Sequence, residues 1–331
     1  MNGVTKCCLH MKRWLSVVLL SAVLIPGAAL AQTYPSKPIT LVVPLAAGSS
    51  LDVVARMIMQ KMSENMGQQI VVENIPGAAS MIGAERFMRA APDGYTLAAF
   101  NDAPLTMVPN LRKKIPYDPI ASFAPVGLMI NNSWTLVCNS KLPVKNVAEL
   151  IALAKAKPGE LNYSSGGNGS PQHIAMEIFQ SMAGIKLTHV PYKGTTQATV
   201  DVIAGQIPMM FSGTNAVVNQ VRDGKLRALA TGGATRSPLL PNVPTVAESG
   251  LPGYEFVTWM GIFAPVNTPK EIIARVNAEL GRALAAPDLR ERLVAQGVEI
   301  KTSTPEQLAA LTKARLEQMA KVIKDAGIHI E

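Results

Sequence analysis

Ser170 and His173 are the first residues in this sequence that raise a chemical question. They lie in the stretch Tyr163–Phe179, YSSGGNGSPQHIAMEIF, where a serine stands three residues before a histidine and directly after a run of glycines. A serine nucleophile needs a histidine base within hydrogen-bonding distance and a third group that orients the histidine. The same serines and glycines can instead surround a bound anion with N–H and O–H donors. The residues alone thus offer two alternatives, a hydrolase and a binding protein.

The surroundings of Ser170 favour the binding protein. A serine directly before a proline, here Pro171, is typical of a helix N-cap followed by proline at the first helical position. The serine oxygen would then accept hydrogen bonds from backbone N–H groups near His173, and His173 could pair with Glu177 one turn further on. The Gly-x-Ser-x-Gly motif that exposes a nucleophilic serine does not occur in the sequence. We therefore predict that the protein is not an enzyme.

Alternating strands and helices must position these residues. In the first part of the chain, apolar and β-branched runs predict strands, and segments with apolar residues at helical spacing follow them. The predicted order is the strand Ile39–Val43, the loop Pro44–Ser50, the helix Asp52–Met66, the strand Ile70–Val72, the loop Asn74–Ser80, a helix to about Ala90 and the strand Tyr95–Phe100. Gly67 stands where a left-handed helix C-cap is expected.

The same order returns downstream. The predicted elements there are the strands Leu161–Ser164, Leu187–Val190 and Ile207–Phe211, the loops Ser165–Ser170 and Lys193–Thr196, and the helices Pro171–Ala183 and Gln197–Ala204. Such units predict a mostly parallel sheet with helices on both faces, and two sets of them predict two α/β domains. The end of the chain predicts three helices, Pro269–Ala285, Asp288–Gln296 and Pro305–Asp325, which we expect to pack on the first domain.

The loops between these elements predict an anion site. Loops that follow parallel strands gather at one edge of the sheet, where open α/β sheets bind their ligands. Each loop leads into a helix N-terminus, which carries unpaired N–H groups and the positive end of a dipole. Lys193 is the one charged residue in these loops. We therefore expect a carboxylate or a phosphate there. Asp52 either stabilises its own helix dipole or faces the ligand.

The N-terminal residues have the layout of a secretory signal. Lys6, Lys12 and Arg13 precede an apolar run, and the small residues Ala29–Ala31 follow it. We predict that residues 1–31 are a signal peptide and that the mature protein lies in the periplasm. Removal of this segment lowers the number of basic residues from 31 to 28, against 23 acidic ones, which leaves a net charge of +5.

Charge and cysteine content exclude several classes of function. The remaining basic cluster, Arg112–Lys114, has no aromatic residues beside it, so we expect no nucleic-acid binding. Cys138 is alone once Cys7 and Cys8 leave with the signal peptide, so an internal disulfide is excluded. The mature histidines, His173, His189 and His329, lack metal-ligand spacing, and we predict neither a metal nor another cofactor.

Eight segments along the mature chain resemble the Bug-type substrate-binding proteins of tripartite tricarboxylate transporters. They are Tyr34–Ile39, Val43–Arg56, Glu73–Ala78, Ala91–Leu97, Pro116–Pro119, Ser164–His173, His189–Gly194 and Leu240–Glu255. The last of these, LPNVPTVAESGLPGYE, is the most specific. The segments occur in the order expected for the family and extend over the whole mature chain.

The resemblance implies a type II periplasmic binding protein that closes on its ligand like a Venus flytrap. Domain 1 would contain residues 32–132 and 257–331, and domain 2 residues 133–256. The implied ligand is a small organic acid, the implied partners are the membrane permease subunits, and the protein is expected to be a monomer. The ligand-binding residues that we predict are Ala47, Gly48, Ser49, Ser50, Asp52, Ala78, Ser80, Asn101, Ser165, Gly166, Asn168, Gly169, Ser170, Lys193, Gly194, Thr195, Thr196, Gln197 and Ala198.

The first loop departs from the family pattern. Many members have Pro-Gly-Gly-x-Thr-Asp where this chain has Ala47-Gly48-Ser49-Ser50-Leu51-Asp52. Loss of one glycine reduces the freedom for close backbone approach, and Leu51 replaces a residue that is often polar. This difference favours a partly apolar or aromatic acid. The sequence leaves open whether the ligand is a dicarboxylate, a tricarboxylate, an aromatic acid or an amino acid, and whether the receptor serves transport or signalling.

Overall fold

The computed structural model describes residues 34–328. The predicted signal peptide, residues 1–31, and His329 therefore lie outside the described residues. The strands are β1 (Ile39–Val43), β2 (Ile70–Asn74), β3 (Thr96–Asn101), β4 (Phe123–Asn139), β5 (Asn162–Ser165), β6 (Thr188–Pro191), β7 (Met209–Gly213), β8 (Leu226–Thr231), β9 (Val257–Pro265) and β10 (Glu299–Ile300).

Helices fill most of the intervals between the strands. The helices are α1 (Ser50–Met66), α2 (Met81–Met88), α3 (Val108–Leu111), α4 (Val147–Ala156), α5 (Pro171–Ala183), α6 (Thr195–Ala204), α7 (Thr214–Arg222), α8 (Lys270–Ala285), α9 (Pro287–Ala295) and α10 (Pro305–Asp325). A π-helical turn, Ala103–Met107, precedes α3. None of the helices in the described part of the chain is long and apolar enough to cross a membrane.

The first sheet is built around β1. This strand pairs in parallel with β2 on one side and with β3 on the other, and Leu41 lies opposite Val72 and Leu97. Leu41 and Leu97 are fully buried. A run of apolar residues is expected for a central parallel strand that is covered on both faces. Strand β9 continues the sheet antiparallel to β3, and β4 lies antiparallel to β9.

Strand β4 belongs to two sheets. Its first part, as far as Ser133, pairs with β9, whereas its second part, from Trp134, pairs antiparallel with β7 and β8. Strand β5 then pairs in parallel with β7 and β6. The predicted α/β architecture is confirmed. All strands that form parallel pairs, β1 to β3 and β5 to β7, are strands that the sequence predicts. Antiparallel pairs make each sheet mixed: β9 pairs with β3 and β4 and β10 with β4 in the first sheet, and β4 pairs with β7 and β8 in the second.

Helix ends agree closely with the sequence patterns. Gly67, Gly184 and Gly205 end α1, α5 and α6 with φ angles of 64°, 60° and 82°, which are left-handed. Helix α5 has the predicted bounds. Helix α6 begins at Thr195, two residues earlier than predicted, because Gly194 serves as its N-cap.

The C-terminal helices pack on elements of the first sheet. Helix α8 lies against α1, and α10 lies against β4 and the π-helical turn. Nδ2 of Asn110 donates to the carbonyl oxygen of Leu316 at 3.0 Å, and Arg315 donates to the carbonyl oxygen of Val257. The last helix of the chain is thus bound to the first residue of β9.

Thr304 begins α10 with a capping box. Its Oγ1 accepts a hydrogen bond from the N–H of Gln307, and the Gln307 side chain accepts one from the N–H of Thr304. We expect Thr304→Ala to lower the free energy of unfolding by about 1 kcal/mol, as measured by urea denaturation. Glu317→Ala, at an exposed position within the same helix, is the control. Equal losses in the two variants would contradict this assignment.

Candidate functional site

One cavity is lined by residues that follow six parallel strands. Residues after β1, β2 and β3 contribute to its first wall, and residues at or after the ends of β5, β6 and β7 contribute to its second wall. This is the edge of the two sheets at which ligands of α/β proteins bind. The floor comes from the paired strands β4 and β9. Nε1 of Trp134 donates to Oγ1 of Thr258 at 2.9 Å across this floor.

Five helices begin at the cavity. The N-cap residues Ser49, Ser80, Ser170, Gly194 and Gly213 all line it, and they precede α1, α2, α5, α6 and α7. The first N–H groups of a helix have no partner within the helix, and the helix dipole places partial positive charge at the same end. The cavity therefore has a positive potential although few of its side chains are charged.

The two walls are close together. The space between them has a volume of about 630 Å³, part of which is open to solvent. Oγ1 of Thr196 donates to the carbonyl oxygen of Ala47 at 3.0 Å, which joins the two walls directly. A Cβ atom added to Gly194 would lie 2.9 Å from Cβ of Ala46. The two walls are thus in direct contact beside the cavity.

The loop Ser165–Ser170 is held by histidine side chains beneath it. Oγ of Ser170 accepts from the N–H of His173 at 3.5 Å, and Nδ1 of His173 accepts from the N–H of Gly169 at 3.2 Å. Oγ of Ser165 lies 2.6 Å from Nε2 of His189. The imidazole of His173 therefore binds the backbone of the loop and not the Ser170 hydroxyl, as the N-cap interpretation predicts.

The pair Ser165–His189 has the spacing of a nucleophile and its base, but it is not accessible. Ser165 is fully buried, and neither residue lines the cavity. The His189 ring stacks between Tyr163, at 4.8 Å, and His173, at 4.2 Å between centroids. The hydroxyl of Tyr163 donates to Oε1 of Glu177 at 2.5 Å. This layer supports the loop from the side away from the cavity.

Burial keeps both histidines neutral. It lowers the pKa of His173 to about 3, with a further contribution from His189, and lowers the pKa of His189 to about 4. A neutral ring is necessary here, because a protonated His173 would have no lone pair on Nδ1 to accept from Gly169. The shape of the loop thus depends on uncharged imidazoles.

The first wall is organised by Asp52. Its carboxylate accepts from the N–H of Gly48 at 2.9 Å, from Nδ2 of Asn74 at 2.9 Å and from Nε of Arg56 at 3.0 Å. Burial opposes ionisation, but these hydrogen bonds outweigh it and hold the pKa of the Asp52 carboxyl below its usual value. Asp52 itself does not line the cavity. Its observed contacts connect the first loop to the end of β2.

The second loop of the first wall is strained. Ala78, Ala79 and Ser80 have φ angles of 47°, 53° and 75°, a left-handed conformation that residues with a Cβ atom rarely adopt. Oγ of Ser80 and Oδ1 of Asn101 are buried and have no hydrogen-bond partner among the described residues. Strain and unpaired polar atoms of this kind concentrate at functional sites.

Comparison with known proteins identifies the family. The model of the tripartite tricarboxylate transporter family receptor, TctC, matches residues 54–328. The chain belongs to this family. BugT of Bordetella pertussis (strain Tohama I) is 33% identical over 326 residues, which cover 98% of this chain and 100% of BugT.

Two solved structures have the same fold as this receptor. The periplasmic binding protein BugD superposes with a TM-score of 0.87 at 34% identity, over 90% of this chain and 100% of BugD. Rpa4515 of R. palustris, solved with adipate, superposes with a TM-score of 0.86 at 32% identity, over 89% of this chain and 99% of Rpa4515. The predicted family and the periplasmic-binding-protein fold are confirmed. Because the family is one of receptors, the prediction that the protein is not an enzyme is confirmed as well.

The structure brings eight of the predicted site residues of this receptor together around the cavity. They are Ser49, Ser80, Asn101, Gly166, Ser170, Lys193, Gly194 and Thr195. No group of His, Cys, Asp and Glu side chains suited to a metal ion occurs among residues 34–328.

The other predicted site residues lie beside or behind the walls. The carbonyl oxygen of Ala47 and the hydroxyl of Thr196 form the bond between the walls. Gln197 is exposed and donates to Asp201, and the carbonyl oxygen of Ala198 accepts from Ser164 within the core. The remaining ones are Gly48, Asp52, Ala78, Ser165, Asn168 and Gly169, together with Ser50, which begins α1 and whose side chain lies outside the described residues.

The residues of the cavity floor and the N-cap of α7 are not among the predicted site residues. Asn132, Trp134, Thr258 and Met260 lie within long strands, where no loop signal marks them. Gly213 was missed because β7 leads into α7 without an intervening loop.

We expect the free energy of unfolding to fall as the pH falls from about 6.5 towards 4. The pKa of His173 is about 3 and that of His189 about 4 in the folded protein, against about 6.5 in the unfolded chain. The unfolded chain therefore binds more protons in this range and is favoured by acid, whereas above about pH 6.5 the pair contributes no pH dependence. Urea denaturation at several pH values measures the effect.

Two variants separate the histidine contribution from that of Asp102. Burial raises the pKa of Asp102 to about 7, so the folded state binds a proton that the unfolded chain releases, and this contribution is lost as the pH rises through about 7. We expect His189→Gln to reduce the loss of stability in acid and Asp102→Asn to increase it. An unchanged pH profile in His189→Gln would contradict the assignment.

Proposed function

We propose that this receptor binds a small organic acid through a carboxylate in the cavity. Five helices begin at one cavity, and the N-termini of α5, α6 and α7, which have no acidic residue in the first turn, carry the proposal because they favour an anion without requiring an arginine. Lys193 is the one charged side chain among the described residues of the cavity wall. The adipate in Rpa4515, whose fold this chain shares, supports a carboxylate over a phosphate.

The eight predicted residues at the cavity would make the contacts. Hydrogen bonds to a charged group contribute roughly 1.5–3 kcal/mol each. Four or five of them support an affinity near the micromolar range, about 8 kcal/mol, after the cost of ordering the ligand. Ser170, Gly194 and Thr195 present hydroxyl and backbone donors from two adjacent loops of the second wall.

Binding would close two domains over the ligand. The proposed domains are residues 32–132 with 257–331, and residues 133–256, and the hinges lie near Asn132 and Phe256. The change of partner along β4 between Ser133 and Trp134 and the start of β9 at Val257 support these positions. A hinge of this kind needs a few residues at element ends that absorb the rotation.

The physiological role follows from the family. The receptor would reside in the periplasm after removal of residues 1–31, act as a monomer and deliver its acid to the membrane permease subunits of a tripartite transporter. The family description, a receptor of such transporters, supports this role. BugD, described as a periplasmic binding protein, supports the compartment.

A thermal-shift screen over mono-, di- and tricarboxylates, aromatic acids and amino acids tests the proposed function. An acid present at 100 times its dissociation constant should stabilise the protein by about 2.7 kcal/mol. For the best acid, we expect Ser170→Ala to reduce affinity at least about tenfold and to lower the free energy of unfolding by about 1 kcal/mol. Ser181→Ala, exposed on the same helix, is the control. The absence of any shift across the screen would refute a carboxylate receptor.

Gly194→Ala tests the closed conformation separately. Gly194 has an extended backbone that alanine adopts without strain, but the added Cβ would press on Ala46 and hold the walls apart. We expect a larger radius of gyration than wild type at saturating concentrations of the best acid, and weaker binding. Gly281→Ala, with open space around the added atom, should behave as wild type. Identical scattering and affinity in all three proteins would contradict closure through this contact.

A further inference from the structure

The two walls of the cavity differ in charge. The second wall contains Lys193 and the N-termini of α5, α6 and α7, and none of these helices has an acidic residue in its first turn. Among the described residues of the first wall, which include Leu45, Leu51, Ser80 and Asn101, none is charged. The attraction for an anion is therefore concentrated on one side.

The N-terminus of α1, on the first wall, is already occupied. Asp52 lies in the first turn of this helix, its carboxylate accepts from the N–H of Gly48, and Oγ of Ser49 accepts from the N–H of Asp52. A carboxylate of the chain itself thus uses the positive end of α1. Leu51, fully buried, fills the adjacent part of the wall.

The N-terminus of α2 offers less to an anion than those of the second wall. This helix has eight residues, and its first N–H, on Met81, donates to the carbonyl oxygen of Ala78 at 3.2 Å. The first wall also has no cation among its described residues that would compensate a second carboxylate of a ligand.

The polar groups that the first wall does offer are neutral. Ser80 and Asn101 are 1% and 5% exposed, and Oγ of Ser80 and Oδ1 of Asn101 lack partners among the described residues. A hydroxyl or an amide of a ligand can pair with these groups, and neither group brings a positive charge that would compensate a second carboxylate. Leu45, Leu51 and Met260 add apolar surface nearby.

From this asymmetry we propose that the ligand is a monocarboxylic acid whose remaining part is uncharged. Its carboxylate lies on the second wall, at Ser170, Lys193 and Thr195, and its far end lies on the first wall, against the leucines and within reach of Ser80 and Asn101. The inference rests on the proposed function and specifies its substrate class.

Matched acids test the class. Isothermal titration calorimetry would compare 6-hydroxyhexanoate with adipate, and 4-hydroxybenzoate with terephthalate, since the members of each pair differ in the charge of the far end. We expect the tightest acid to be a monocarboxylate, at least about tenfold tighter than its dicarboxylate partner. If a dicarboxylate is the tightest, the inference is wrong while the proposed function stands. If no acid binds in this panel or in the thermal-shift screen, the proposed function fails and the inference fails with it.

A positive charge added to the first wall tests independently whether this wall selects a ligand with an uncharged far end. Leu45 is half-buried, so Leu45→Lys can place an ammonium group at the cavity without filling the core. We expect this variant to shift the ratio of affinities towards the dicarboxylate by about tenfold or more. Gln60→Lys adds the same charge at an exposed position of α1 away from the cavity and should leave the ratio unchanged. An unchanged ratio in a folded Leu45→Lys protein would mean that the first wall does not select the ligand's far end.

Discussion

The pairing of β4 with β9 on one side and with β7 on the other determines where the cavity lies. One continuous strand holds the carboxyl edges of two parallel strand sets opposite each other, so that the five helices which follow β1, β2, β5, β6 and β7 begin at one space. Without this shared strand, each helix end would carry a partial charge of its own, too weak to bind an anion firmly. The affinity that we propose is a property of this arrangement more than of any single side chain.

Two neutral histidines, His173 and His189, hold the loop Ser165–Ser170 in one conformation through hydrogen bonds. Ser165–Ser170 contains glycines that are free to adopt many conformations, and its order depends on hydrogen bonds to the rings of His173 and His189 below it. His173 can accept from Gly169 only as long as its ring carries no charge. The shape of the loop therefore depends on the protonation state of groups that do not line the cavity.

Sequence patterns predicted the elements whose ends carry strong local signals. Ser170 with Pro171 predicted the start of α5 and Gly67 the end of α1, because caps act within one turn of the chain. The same patterns located residues of both walls through loops such as Pro44–Ser50 and Ser165–Ser170. They could not locate Trp134, Thr258 or Met260, because strand residues become part of a cavity through pairing between distant segments. Nor could they show that the Asp52 carboxylate accepts hydrogen bonds from Gly48, Asn74 and Arg56. The bond from Asn74 depends on the position at which β2 ends.

The hydrogen bond that joins the walls has a consequence for the divergence of related receptors. Thr196 contributes a side chain, but its acceptor at Ala47 is a main-chain oxygen, which every amino acid possesses. Mutation at position 47 can therefore alter the surface of the first loop while the bond persists, provided that the loop keeps its path. Position 196, in contrast, needs a hydroxyl. The two sides of this contact therefore differ in how much substitution they tolerate.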